Sequence, residues 1–153
     1  MSRRQQIAMS DREVADFLGQ QSVVICATNG PRGWPHLMPL WYVMRGNGIW
    51  AWTYAKSQKV RNLERDPRAT LQVEGGEEYH QLCGVMIEAH AVIHRELEPV
   101  AELGAEIAGR YGSASAGPQF MDAVRAQAAK RVGLEFVPGR VASWDHRKLQ
   151  GVY

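Results

Sequence analysis

The chain has 153 residues, 45% of them apolar and 22% charged, a formal net charge of +2 and two cysteines. That length fits one domain with its own core, and an ordinary apolar fraction with so little net charge excludes a disordered chain. Cys26 and Cys83 sit in apolar stretches without ligand-like spacing, which excludes a disulfide scaffold and suits reduced thiols.

No apolar run approaches the ~20 residues of a membrane-spanning helix, and Arg3-Arg4-Gln5-Gln6 opens no signal peptide, so a cytoplasmic protein is expected. Residues 1–9 read as an N-terminal arm and 10–153 as one domain. Ser10-Asp11-Arg12-Glu13 is a capping-box pattern; Val14, Phe17 and Leu18 follow at helical spacing, and Gly19 ends that helix. Ser22 to Thr28 reads as a strand, Asn29 to Gly33 as a turn, Trp34 to Met44 as a second strand, and Arg45-Gly46-Asn47-Gly48 as a hairpin loop. In the third strand, Ile49 to Tyr54, Ile49, Ala51 and Thr53 share one face and Trp50, Trp52 and Tyr54 the other.

A short helix over Ser57 to Arg65, with Val60 and Leu63 inward, stops at Asp66-Pro67. Strands are expected over Ala69 to Glu74 and Leu82 to His94, then helices over Glu96 to Tyr111 and Gln119 to Lys130 around a loop from Gly112 to Pro118. Val132 to Val137 and Val141 to Trp144 read as two strands about a Pro138-Gly139 turn. Hairpins first and helices late argue for a mainly β, α+β architecture, an antiparallel barrel with packed helices, and against a doubly wound sheet.

The charge is local. Residues 56–68 hold Lys56, Lys59, Arg61, Arg65 and Arg68 against Glu64 and Asp66, a local +3 that leaves the rest near −1. One basic segment suits a single anionic group, whereas nucleic acid needs a broad basic stripe. A strand here feeds a helix whose first turn holds Lys56, Ser57 and Lys59. Its unpaired N–H groups and positive dipole end would hold a phosphate, with the hydroxyl donating and the lysines neutralising. The competing account is a solvated helix face with Glu64 paired to Arg61 or Arg68. Trp41, Trp50 and Trp52 on neighbouring strands favour the phosphate account, because they would wall a flat aromatic ligand.

Other chemistry finds less support. Gly46-Asn47-Gly48-Ile49-Trp50-Ala51 fits a loose G-x-G-x-x-A pattern, but a strand follows where a dinucleotide site needs a helix. His90 and His94 on a strand stand about 13 Å apart, and with His36, His80 and His146 they form no metal-ligand spacing, so no metal is expected. No nucleophile elbow is present.

Gly33-Trp34-Pro35-His36-Leu37-Met38-Pro39-Leu40-Trp41-Tyr42 resembles the G-x-P-h-x-x-P-x-W strand of the split β-barrel flavin-binding superfamily. Lys56 through Arg68 resembles its phosphate-binding segment. Lys130-Arg131-Val132-Gly133 and Ser143-Trp144-Asp145-His146-Arg147-Lys148-Leu149 are similar to its deazaflavin-associated branch. The resemblance covers about residues 8–150 of a superfamily that includes pyridoxamine-phosphate oxidase and coenzyme F420-dependent oxidoreductases.

The resemblance implies a homodimer with a site in each groove between subunits. Ser57 and Lys59, with Lys56, Arg61 and Asn62, would hold the cofactor phosphate. Pro39, Leu40, Trp41, Trp52 and Thr53 would line the tricyclic ring, and Trp144 and Lys148 would reach the partner's site. The Arg-x-His-x-Arg-like substrate clamp of true pyridoxamine-phosphate oxidases is reduced here to His146-Arg147-Lys148, so vitamin B6 chemistry is not implied. The implied activity is hydride transfer between coenzyme F420, or alternatively FMN, and a small conjugated molecule. Tyr42, His36 or water would supply the proton. The alternative is a non-catalytic flavin, deazaflavin or haem binder, with His80 or His90 as an axial ligand to haem.

Overall fold

The computed structural model describes residues 2–113 and 117–151. Seven antiparallel strands form one sheet in the order β2-β1-β5-β6-β7-β4-β3. They are β1 (Val23–Asn29), β2 (Pro35–Trp41), β3 (Val43–Arg45), β4 (Gly48–Tyr54), β5 (Arg68–Gly75), β6 (Cys83–His94) and β7 (Arg131–Asp145). β2 and β3 stand at opposite edges of the sheet, yet a single residue, Tyr42, separates them in sequence. That is possible only if the sheet curls until its edges meet, which makes it a split barrel.

The barrel interior is filled from alternate strand positions: Val24 and Cys26 from β1, Ile49 and Ala51 from β4, Leu71 and Val73 from β5, and Leu134 and Phe136 from β7. Among the described residues five α-helices surround it: α1 (Arg3–Ile7), α2 (Asp11–Gln20), α3 (Gln58–Arg65), α4 (Leu97–Arg110) and α5 (Pro118–Ala128). Ser10 and Glu13 form the expected capping box at α2, and Phe17 and Leu18 are its buried face. Helix α4 buries Val100, Leu103 and Ile107 as spaced in the sequence, and packs against α5 and the outward-facing Trp52. No helix among the described residues is long and apolar enough to cross a membrane.

Two expectations need correction. The strand expected from Trp34 to Met44 is two strands, broken at Tyr42 where the chain crosses between the sheet edges. The Pro138-Gly139 turn is instead a bulge inside one 15-residue strand, β7. Ala89 pairs with Pro138 and Ile87 with Val141, so Gly139 and Arg140 stand opposite Glu88 alone. A Cβ on Gly139 would lie 3.2 Å from the Glu88 carbonyl oxygen, which suits glycine there. The N-terminal arm contains helix α1, opened by a second capping box between Ser2 and Gln5. The Arg45-Gly48 hairpin forms as expected, with Gly46 at φ +61°. Residues 114–116 of the expected loop lie outside the described residues.

Candidate functional site

Strand β4 delivers the chain into α3 through Ala55, Lys56 and Ser57. Ser57 occupies the N-cap with extended backbone (φ −69°, ψ 154°), but its hydroxyl makes no capping bond. The Oγ is shielded from solvent and has no hydrogen-bond partner. Buried polar atoms are nearly always paired, so an orphaned N-cap hydroxyl amid unpaired helix N–H groups needs an explanation.

Lys59 lies two residues on, within the first turn, only 6% exposed, and its Nζ donates 3.0 Å to the Thr53 hydroxyl, itself buried. An ammonium has three donors and no acceptor. Among the described residues no carboxylate pairs with it, and burial lowers its pKa from the ordinary lysine value. Cys26 close by gives no counter-charge, because burial pushes its thiol up to about 12. Asn62, also buried, donates 3.0 Å to the Thr28 hydroxyl and accepts 2.8 Å from Gln58. Thr28 pairs across the sheet with His36, whose Nδ1 is likewise buried without a partner.

The other cations of the segment divide. Arg68 is bound bidentately by Asp66 (2.8 and 2.9 Å), and Arg65 donates to the Asn29 carbonyl. Glu64 pairs with neither Arg61 nor Arg68, as the solvated-face account requires, but with Arg95. Lys56 and Arg61 are exposed, and no ion pair involves either among the described residues. Arg61 follows Ser57 at the i+4 spacing, so both belong to one helix face.

The expected ring-lining residues separate too. Trp41 and Trp52 share a cleft of about 380 Å³ walled by α4 and α5. Pro39 opens instead onto the outer sheet face with Leu37 and Ile25, and Leu40 is buried in the barrel core. The Trp41 ring stacks on Tyr111 (centroids 4.4 Å, planes 2° apart), and α4 lies against Trp52 at Gly104, where a Cβ would come within 2.3 Å of the indole. Arg131, on β7 opposite Tyr54, lies over Trp52 (4.6 Å) and Tyr54 (4.3 Å) at the edge of this cleft. Its place at the cleft was not legible in the sequence, where it stands far from the basic segment.

Of the groups expected to move a proton, Tyr42 is closed off. It is fully buried, its hydroxyl donates 2.6 Å to the Leu18 carbonyl, and burial raises its pKa. Trp144 and Lys148 lie at the far end of β7 from Arg131, about 40 Å of extended strand away. Trp144 covers Gly84, and the Lys148 ammonium bonds the Ala8 carbonyl and Glu13, each at 2.8 Å. Within one chain these two residues do not meet Ser57. His80 and His90 are exposed, and among the described residues no three His, Cys, Asp or Glu side chains cluster as a metal site would require.

Two larger depressions, of about 570 and 600 Å³, lie over the outer face near His90 and beneath α2. Their main charges are already neutralised, Glu88 by Arg140 (3.8 Å) and Asp145 by Arg147 (2.8 Å). The start of α3 differs in having donors without acceptors.

The architecture is that of the split β-barrel superfamily. More narrowly, the chain belongs to the pyridoxamine 5'-phosphate oxidase family, whose model matches residues 10–145. Among solved structures it is similar to the conserved hypothetical protein Rv2991 of Mycobacterium tuberculosis, with 39% identity over 100% of this chain and 95% of that one, and a TM-score of 0.90. It shares its fold with a protein named F420 reductase (20% identity, 83% and 94% of the chains, TM-score 0.67). It also shares it with HutZ, the haem storage protein of Vibrio cholerae (17% identity, 87% and 94%, TM-score 0.67). A comparison with curated proteins finds no match.

Proposed function

We propose that this protein is an oxidoreductase that transfers a hydride between a bound coenzyme F420, or alternatively FMN, and a small conjugated molecule. The observation that carries this reading is the set of hydrogen-bond donors left without acceptors at the start of α3. There an orphaned Ser57 hydroxyl and a buried Lys59 ammonium lie among unpaired helix N–H groups. A buried cation held by one neutral hydroxyl is costly, and a phosphate would supply the missing acceptors.

The bound ring supplies the hydride chemistry. Ser57 and Lys59 would hold the phosphate, Thr53 orients the ammonium, and Asn62 braces α3 against β1 through Thr28. Lys56 and Arg61, exposed and without acidic partners among the described residues, favour F420 over FMN, since F420 carries an acidic tail. Each such contact is worth ~0.2–1 kcal/mol. The active unit in this reading is a homodimer. Exposed Leu37, Met38 and Trp41 on the edge strand β2 give a partner an apolar surface, and only a second copy could bring Trp144 and Lys148 near Ser57.

The test is equilibrium titration of the purified protein with F420 and FMN, then reduced cofactor with a panel of enones and quinones. Tighter F420 binding, weakened by about 1.5–3 kcal/mol in Lys59→Ala, and substrate-dependent oxidation are expected. Absence of binding by both compounds contradicts the reading, and a haem Soret band in the purified protein would replace it with the haem-binding alternative.

A further inference from the structure

We infer that the Trp41–Trp52 cleft is a binding site for a flat apolar carboxylate, with Arg131 gripping the carboxylate. The inference rests on the preceding reading only for the ligand's role as substrate; the binding itself stands without it.

The cleft is preformed. Trp41 is held by its stack on Tyr111, whose hydroxyl donates toward the Tyr42 and Ser22 carbonyls and accepts from the Tyr42 N–H. Trp52 is pressed by α4 at Gly104. With Ile107, Phe120 and Val124 completing the lining, the walls are aromatic and aliphatic, and about 380 Å³ is near the lower end of small-molecule pockets. Such a space selects flat, apolar bodies.

Arg131 adds charge at one edge. Its guanidinium is sandwiched against Trp52 and Tyr54, which fixes its plane while leaving its N–H edge unused. Its one hydrogen bond among those of the described residues is a long contact from Nη1 to the Gln127 carbonyl, 3.4 Å, and no ion pair there uses it. Other arginines of this chain, including Arg45, Arg68, Arg125 and Arg147, are met by carboxylates. A half-buried guanidinium with a rigid fork and several unused donors is matched best by a carboxylate, which accepts two parallel bonds.

The experiment measures tryptophan fluorescence of the full-length protein titrated with 2-naphthoate and with its neutral counterpart 2-naphthamide, in wild type and Arg131→Gln. Saturable naphthoate binding is expected, weakened about ten- to hundredfold by the substitution while naphthamide binding is unchanged. No naphthoate binding to wild type, equal naphthoate binding to both proteins, or equal loss of both probes would overturn the inference. Binding of F420 or FMN is scored separately: a cofactor that binds where naphthoate does not leaves the preceding reading standing, and the reverse leaves only this one.

Discussion

Two buried polar clusters stand in contrast. At the barrel's closing joint, Arg110 lies over the Tyr42 ring (4.4 Å) and donates to the carbonyls of Leu18, Gly19, Gln21 and Tyr42. Its charge is spread over four acceptors, one of which, the Leu18 carbonyl, also accepts from the Tyr42 hydroxyl. At the start of α3, Lys59 has one hydroxyl and Ser57 has nothing. Both clusters sit where strands end and helices dock. The first is closed because it holds the chain where it passes from one sheet edge to the other. The second is left open, and an open buried cluster costs stability unless a ligand completes it.

Arg110→Ala should break the contrast from the folded side with the largest effect. Orphaning several carbonyls and removing the cation over Tyr42 should cost ~3 kcal/mol in chemical denaturation. Gly104→Ala comes next. Alanine is the better helix former, yet its methyl would drive into the Trp52 ring, so a net loss of ~1–2 kcal/mol is expected by the same method. A gain in stability would show that α4 does not press on Trp52.

Lys59→Met sharpens the comparison from the open side. Burial lowers the Lys59 pKa, so between that value and the unfolded lysine's 10.5 the unfolded chain binds more protons and stability rises with pH. The charged lysine therefore costs stability near neutral pH. The methionine variant should be at least as stable as wild type at pH 7, with an advantage that shrinks as pH approaches 10; denaturant midpoints across that range test it. A variant less stable than wild type at neutral pH would make Lys59 a structural residue.

Much of this was legible in the sequence because local pattern and tertiary demand agreed. The alternation of Ile49, Ala51 and Thr53 with Trp50, Trp52 and Tyr54 is the inside–outside division of β4. The boundaries of α3 follow from Ser57 and from Asp66-Pro67. Pro138-Gly139 misled because a dipeptide that turns in isolation becomes a bulge when twelve residues of β6 run alongside. The break at Tyr42 was hidden because the apolar run from Leu37 to Met44 continues through it, and only closure of the sheet reveals the joint. The charge partners were beyond sequence reasoning, since Glu64 meets Arg95 and Arg131 meets Trp52 only after the strands are laid side by side. The site residues were therefore visible as a basic segment, but not which of its cations remain available.

The most direct test is Ser57→Ala, measured for both stability and cofactor affinity. Replacing an N-cap serine ordinarily costs ~1 kcal/mol, but here the hydroxyl caps nothing, so the free protein's stability should hardly change while its affinity for the tighter-binding cofactor falls about tenfold. A destabilised free protein with unchanged cofactor affinity would contradict the account, because it would make Ser57 part of the scaffold rather than of the anion site.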